Sequence, residues 1–441
     1  MFIKKYNLIT DIEKKFLLTC LLLLIQFIYL YGQYELNKIY FILIFINSFI
    51  CIWNMIPLWN KPYSLRMFIN IFIYVFFILA NAIQLANKNN VLTFTLNLEL
   101  NDYIYFQFIL FFILIFYNYF YCFFNFKVSI TNENFIIRTK ILLCISIIST
   151  FITIFNYRNS LILLFARGIV SEFSENIEYS EGSIMTTLLF KYLIRPIPWA
   201  SLILCLITKR PLKITLFLFL LTLVTMFPTG LARNSIVIYW FPIFILSIKK
   251  YIKGYSILFL IFFGLFIIFP FLDNFRHFNG TISYRFSMDY LDTMNFDASQ
   301  IFMAVIKTET VTFGHQLLGS LLFFFPRSLW LSKPLGSGAF MVESMNGWFT
   351  NVSMPFFAEG FINFGIIGIF IYTFILAFLT KSFDYKYWIN NKKIDFFQGY
   401  YLVILGAIIY IMRGDFMSSF AYTSGTCLCY YLVKKISIVK L

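Results

Sequence analysis

Apolar runs of about twenty residues, separated by short polar turns, recur along most of the chain, the length a helix needs to cross a bilayer. They predict helices near 16–31, 38–58, 67–86, 103–126, 141–156, 184–207, 214–231, 234–248, 255–272, 356–380, 396–412 and 416–433. The expectation is an all-α polytopic membrane protein of about twelve transmembrane helices. Strand-like segments of about ten residues with polar-in, apolar-out alternation are absent, which argues against a barrel. No small-residue cleavage site follows Phe16–Tyr31, so that run reads as a retained helix. Three regions result: 1–272, with nine helices, short loops and an acidic outer loop near 157–183; 273–355, one large extracytoplasmic loop; and 356–441, with three helices and the C-terminus. Within the large loop, Asp297–Glu309 and Gly314–Phe325 read as short helices lying on or dipping into the interface.

Composition agrees: 60% of the 441 residues are hydrophobic and 12% charged, too few polar groups to cover a soluble protein of this length. The 60 Phe accompany many Ile, Asn and Lys, which reads as a codon bias and carries no meaning for sugar stacking. All seven Cys fall in predicted spans without metal-ligand spacing, so neither disulfides nor structural zinc is expected. With the N-terminus in the cytoplasm, Lys61/Arg66, Lys127/Arg138/Lys140, Lys209/Arg210/Lys213, Lys249/Lys250/Lys253 and Lys381/Lys386/Lys392/Lys393 all fall inside. This is the positive-inside pattern, and it places both termini in the cytoplasm. It also accounts for most of the net charge of +15 without a basic soluble face for nucleic acid.

Arginine runs against that pattern. Arg158, Arg167, Arg195, Arg233, Arg276, Arg285, Arg327 and Arg413 fall outside or within spans, where a forked guanidinium suits phosphate or carboxylate. Pairing with Glu172–Glu181, Asp273, Asp289 or Asp292 is the plainer account of Arg158, Arg167 and Arg285. It serves less well for Arg195, before Pro196 and Pro198; for Arg233, in a tight turn; and for Arg413, with Asp415 as the nearest acid. A charge within a span costs about 2.5 kcal/mol or more unless it faces a polar cavity. Candidate bases are His315, His277 and Glu359, with Asp273, Glu343 and Asp415 weaker. Asp289 and Asp292 form a DxxD pair, not the adjacent DxD of many metal-dependent sugar transferases, so no metal and no cofactor is expected.

Four stretches carry a resemblance: LDNFR (Leu272–Arg276), FFFPRSLWLSKPLG (Phe323–Gly336), AEGFINFGIIG (Ala358–Gly368) and MRGD (Met412–Asp415). A polytopic chain bearing them resembles the O-antigen polymerases, the Wzy-type oligosaccharide repeat-unit polymerases of bacterial surface polysaccharides. An outer-loop Arg followed eleven positions later by Gly, another feature of the family, is met by Arg327 and Gly338. The resemblance implies a C-type glycosyltransferase fold in the bacterial cytoplasmic (inner) membrane, acting on undecaprenyl-pyrophosphate-linked oligosaccharide at its outer face to build O-antigen or capsule. Membrane lipid is the solvent, and a chain-length regulator protein is an allowed partner. It further implies that Arg276, Arg327 and Lys333, with Arg233, Arg285, Arg413 and Arg195, serve the anionic donor, and that His315 or Glu359 takes the acceptor proton. An O-antigen ligase, a lipid-linked oligosaccharide flippase and a purely structural membrane protein are the alternatives.

Overall fold

The computed structural model describes Leu23, Gln26 and residues 37–58, 60–89, 96–126, 135–159, 161–165, 184–264, 267, 288–347, 349–390 and 395–440. The span expected near 16–31 falls outside them apart from Leu23 and Gln26, and so do most of the acidic outer loop and 268–287, with Arg276, His277 and Arg285.

The fold is helical, and among the described residues seven helices are long and apolar enough to cross a membrane. These are α1 (Lys38–Leu58), α2 (Leu65–Ala86), α3 (Leu100–Phe123), α4 (Thr139–Asn156), α5 (Thr186–Ile207), α6 (Leu212–Gly230) and, later in the chain, α12 (Phe356–Asn390). Between them lie the shorter α7 (Arg233–Ile248), α8 (Ser256–Phe263), α9 (Ala298–Lys307), α10 (His315–Leu321) and α11 (Ser337–Ser344); α13 (Phe397–Arg413) and α14 (Phe416–Ser437) follow. Residues 135–137 (β1) pair antiparallel with 438–440 (β2), Phe135 opposite Lys440, tying the end of the chain to the turn before α4.

Burial identifies the centre of the bundle. Helix α2 is 89% buried along its most apolar window, whereas α6 is only 22% buried, as a lipid-facing helix should be. The buried position of α2 explains its polar residues, since amides inside hydrocarbon must find partners. Asn81 accepts from Tyr40 Oη at 2.7 Å and from Gln107 Nε2 at 2.9 Å, joining α1, α2 and α3. Helix α12 packs on α3, α7 on α13, and α14 on both α13 and α10.

Helix α9 is buried from Ala298 to Val305 among α2, α3 and α12. Its polar residues are satisfied inside the protein, as buried polar groups require: Ser299 donates to Gln84 Oε1 and Gln300 to the Asn89 carbonyl.

Candidate functional site

The site is built around a break in α12. Phe364 (φ −143°, ψ 19°) and Gly365 (φ 65°, ψ −150°) are not helical, and only glycine adopts the second conformation readily. The chain doubles back so sharply that a Cβ on Gly368 would lie 1.8 Å from the Gly360 carbonyl oxygen. Carbonyls freed by the break are recaptured, as a buried backbone requires. Ile362 O accepts from Thr312 N at 2.7 Å and Asn363 O from Gly314 N at 3.0 Å. The Asn363 side chain accepts from Leu317 N at 2.8 Å and donates to Glu359 O at 2.8 Å. The AEGFINFGIIG stretch is therefore a hinge that grips the segment leading into α10.

Glu359 stands on the short helical piece before the break, fully buried, and both of its oxygens are engaged. Oε2 accepts from Ser337 Oγ and Oε1 from Phe416 N, each at 2.9 Å. Asp415 makes a parallel clamp: Oδ1 caps α14 through Ser418 N at 3.1 Å and Oδ2 accepts from Gly338 N at 3.3 Å. Gly336 permits this approach, since a Cβ there would meet Asp415 Oδ2 at 2.4 Å. Burial pushes the Asp415 carboxyl above its ordinary range, against the pull of the backbone N–H groups it accepts from. Two carboxyls thus latch residues 336–338 onto the start of α14.

Two arginines from different helices converge on one turn. Arg413, at the end of α13, donates through Nη2 to Met294 O at 3.2 Å and to Asp297 Oδ1 at 3.1 Å. Arg233, at the start of α7, donates through Nη1 to Asn295 Oδ1 at 3.2 Å. The expectation that pairing with an acid serves Arg413 poorly is therefore corrected; its acid is Asp297, 116 residues away. Asp297 is itself fixed by Ser353, whose N–H donates to Oδ2 at 2.9 Å and whose hydroxyl makes a short bond to Oδ1.

The Phe323–Gly336 loop closes on itself. Arg327 donates to the Lys333 carbonyl at 2.6 Å and the Pro334 carbonyl at 3.0 Å, while Lys333 Nζ donates to Phe323 O at 2.7 Å and Phe325 O at 2.8 Å. Burial and the neighbouring Arg327 guanidinium pull the Lys333 ammonium below its ordinary value. Arg327 is exposed, and so is His315, whose ring meets Trp330 edge-on with centroids 6.2 Å apart. Arg195 stands apart from this group. It is 8% exposed, with Nε donating to Thr225 O at 2.7 Å and Nη1 to Tyr157 Oη at 3.2 Å, where the π-helical turn 190–194 gives way at Pro196.

The structure thus brings together Arg233, Arg413, Glu359, Lys333 and Arg327 through a chain of contacts, with His315 on the segment gripped by the hinge. Asp297, Ser337, Asn295 and Asn363 belong to the same network and went unnoticed in the sequence. No spacing signal could have found Asp297 and Ser353, which lie 56 residues apart. No family model matches this sequence, and no curated protein or solved structure is significantly similar to it.

Proposed function

We propose that the protein polymerises lipid-linked oligosaccharide repeat units, transferring a growing glycan from its undecaprenyl-pyrophosphate carrier to the terminal sugar of a fresh repeat. On this reading it is a C-type glycosyltransferase of about twelve spans in the bacterial inner membrane. Both termini lie in the cytoplasm, and the 273–355 region faces outward. The observation that carries the reading is the convergence of Arg233 and Arg413 on the Met294–Asp297 turn. Three of the four stretches that resemble the O-antigen polymerases adjoin one another through Asp415, Glu359 and the 336–338 segment; the fourth, with Arg276, lies outside the described residues.

The chemistry suits cations and needs no proton delivered to the leaving group. The bond from the anomeric carbon to the pyrophosphate oxygen breaks and its electron pair leaves with the lipid pyrophosphate. The acceptor hydroxyl forms the new bond to that carbon and gives up its proton. Arg413, Arg233, Arg327 and Lys333, with Arg276 and Arg285, stabilise the pyrophosphate as its charge grows. His315, exposed on α10, takes the proton. Glu359 is recast from base to positioning residue, because both of its oxygens hold the 337 and 416 segments. Arg195 is a more distant contributor.

Purified protein supplied with a lipid-linked repeat unit, and with no nucleotide sugar, should yield a ladder of longer glycans. Arg413→Gln and Arg327→Gln should each reduce laddering about 100-fold while the protein remains inserted and folded. Transfer onto a lipid A-core acceptor without a ladder would instead mark a ligase, and movement of the substrate across the bilayer without coupling would mark a flippase. Full laddering by both variants would remove the pyrophosphate assignment.

A further inference from the structure

At the opposite end of the bundle two cations share one aromatic ring. The Arg66 guanidinium lies 4.2 Å from the Tyr121 ring centroid and Lys381 Nζ lies 4.6 Å from it. Arg66 is held in place by two asparagines: Nη2 donates to Asn54 Oδ1 of α1 at 3.2 Å and to Asn118 Oδ1 of α3 at 3.0 Å. Its Nε is buried without a hydrogen-bond partner among the described residues. Lys381 comes from α12 and lies over the same ring. The Arg66 charge opposes that of Lys381, while the buried Asp384 and the ring face favour it.

The acid at hand is already committed. Asp384 is buried, and its oxygens accept from Leu65 N at 2.9 Å, Tyr401 Oη at 2.7 Å and Arg66 N at 3.2 Å. It therefore caps α2 through backbone N–H groups and forms no ion pair with either cation's head. Among the described residues neither Arg66 nor Lys381 has an ion-pair partner. Lipid-facing aromatics flank the cluster: Phe374 and Phe378, each at least 40% exposed, pack on Phe120 and Phe124 with centroids 5.1–5.2 Å apart.

We propose that Arg66 and Lys381 bind the phosphate of an anionic phospholipid, with its acyl chains lying along the Phe120–Phe374–Phe378 surface. The lysine-rich loops at this end assign the lipid to the cytoplasmic leaflet. A guanidinium fixed by two asparagines, a neighbouring ammonium and an apolar flank suit a phosphodiester on a hydrocarbon tail. This inference is independent of the reaction proposed above.

The test is lipid retention by purified protein in nanodiscs of equal parts phosphatidylglycerol and phosphatidylcholine, read by native mass spectrometry. Wild type should retain phosphatidylglycerol, Lys381→Gln should lose about fivefold of that preference, and Lys381→Arg should keep it. Arg66→Lys, which keeps the charge but not the fork, should lose part of the preference. Lys253→Gln, an exposed lysine of another loop of the same charge class, should change nothing. An equal loss in Lys253→Gln, unchanged retention in Lys381→Gln, or inorganic phosphate occupying the site equally well in phosphatidylcholine discs would each overturn the assignment.

Discussion

Replacing Asp297 with asparagine tests the turn on which the candidate site rests. The carboxylate is 3% exposed and serves three donors: Ser353 N–H, the Ser353 hydroxyl and Arg413 Nη2. An amide offers one acceptor oxygen. If its NH2 takes the Oδ2 place it opposes the Ser353 N–H, and if it takes the Oδ1 place it opposes Arg413. Losing one buried bond to a charged acceptor costs about 1.5–3 kcal/mol. The ion pair adds less than a fully buried one, because the Arg413 side chain is 30% exposed; with screening its share is about 1 kcal/mol. The total is about 3 kcal/mol, read as a drop of several degrees in the melting temperature of detergent-solubilised protein by tryptophan fluorescence. Laddering should fall about 10- to 100-fold, since Arg413 loses its anchor and the turn met by Arg233 loosens. In a double-mutant cycle with Arg413→Gln the two changes should be non-additive by about 1 kcal/mol. Asp297→Asn melting within about 0.5 kcal/mol of wild type, additive with Arg413→Gln and laddering fully, would refute the reasoning.

Glu359→Gln can keep its oxygen on Phe416 N while its NH2 donates to Ser337 Oγ, whose proton turns to Gln316 Oε1, so it should destabilise by only about 1 kcal/mol. If Glu359 only positions, the residual ladder keeps the wild-type pH profile; if it is the base, the profile changes shape. Gly365→Ala, at φ 65° and ψ −150°, should cost about 1–3 kcal/mol, and Gly368→Ala should prevent folding, measured as loss of monodisperse protein in detergent. Asp415 has a carboxyl raised by burial, so the folded state binds its proton more tightly than the unfolded chain does. Its contribution to stability is largest below the ordinary Asp range of about 4 and is lost as pH rises through the higher folded value. Melting curves against pH should show this slope in wild type and lack it in Asp415→Asn.

Most of the helices were legible because hydrocarbon imposes length and composition directly: 38–58 was expected and Lys38–Leu58 is observed, and 141–156 became Thr139–Asn156. What failed was anything decided by distant partners. The DASQIFMAVIK stretch carries an amphipathic pattern, and nothing in it reveals that Gln84 Oε1 and the Asn89 carbonyl will accept its polar groups. Glu359 reads as a candidate base at the end of a span, because the break at Gly365 that folds it inward depends on Thr312 and Gly314. Arg413 reads as poorly served by any acid near it in sequence, whereas proximity in space supplies Asp297. The arginines themselves were legible as a group; which of them meet was not.

The broken helix also has a consequence for how the chain is assembled. From Phe356 to Ile389 an unbroken helix would measure on the order of 50 Å, well beyond a hydrocarbon core of about 30 Å. Reversal at Gly365 removes that excess length, but it strands carbonyls that the 312–314 amides must cap. Those amides leave the ribosome first. The segment that caps the break is therefore synthesised before the helix whose carbonyls it caps.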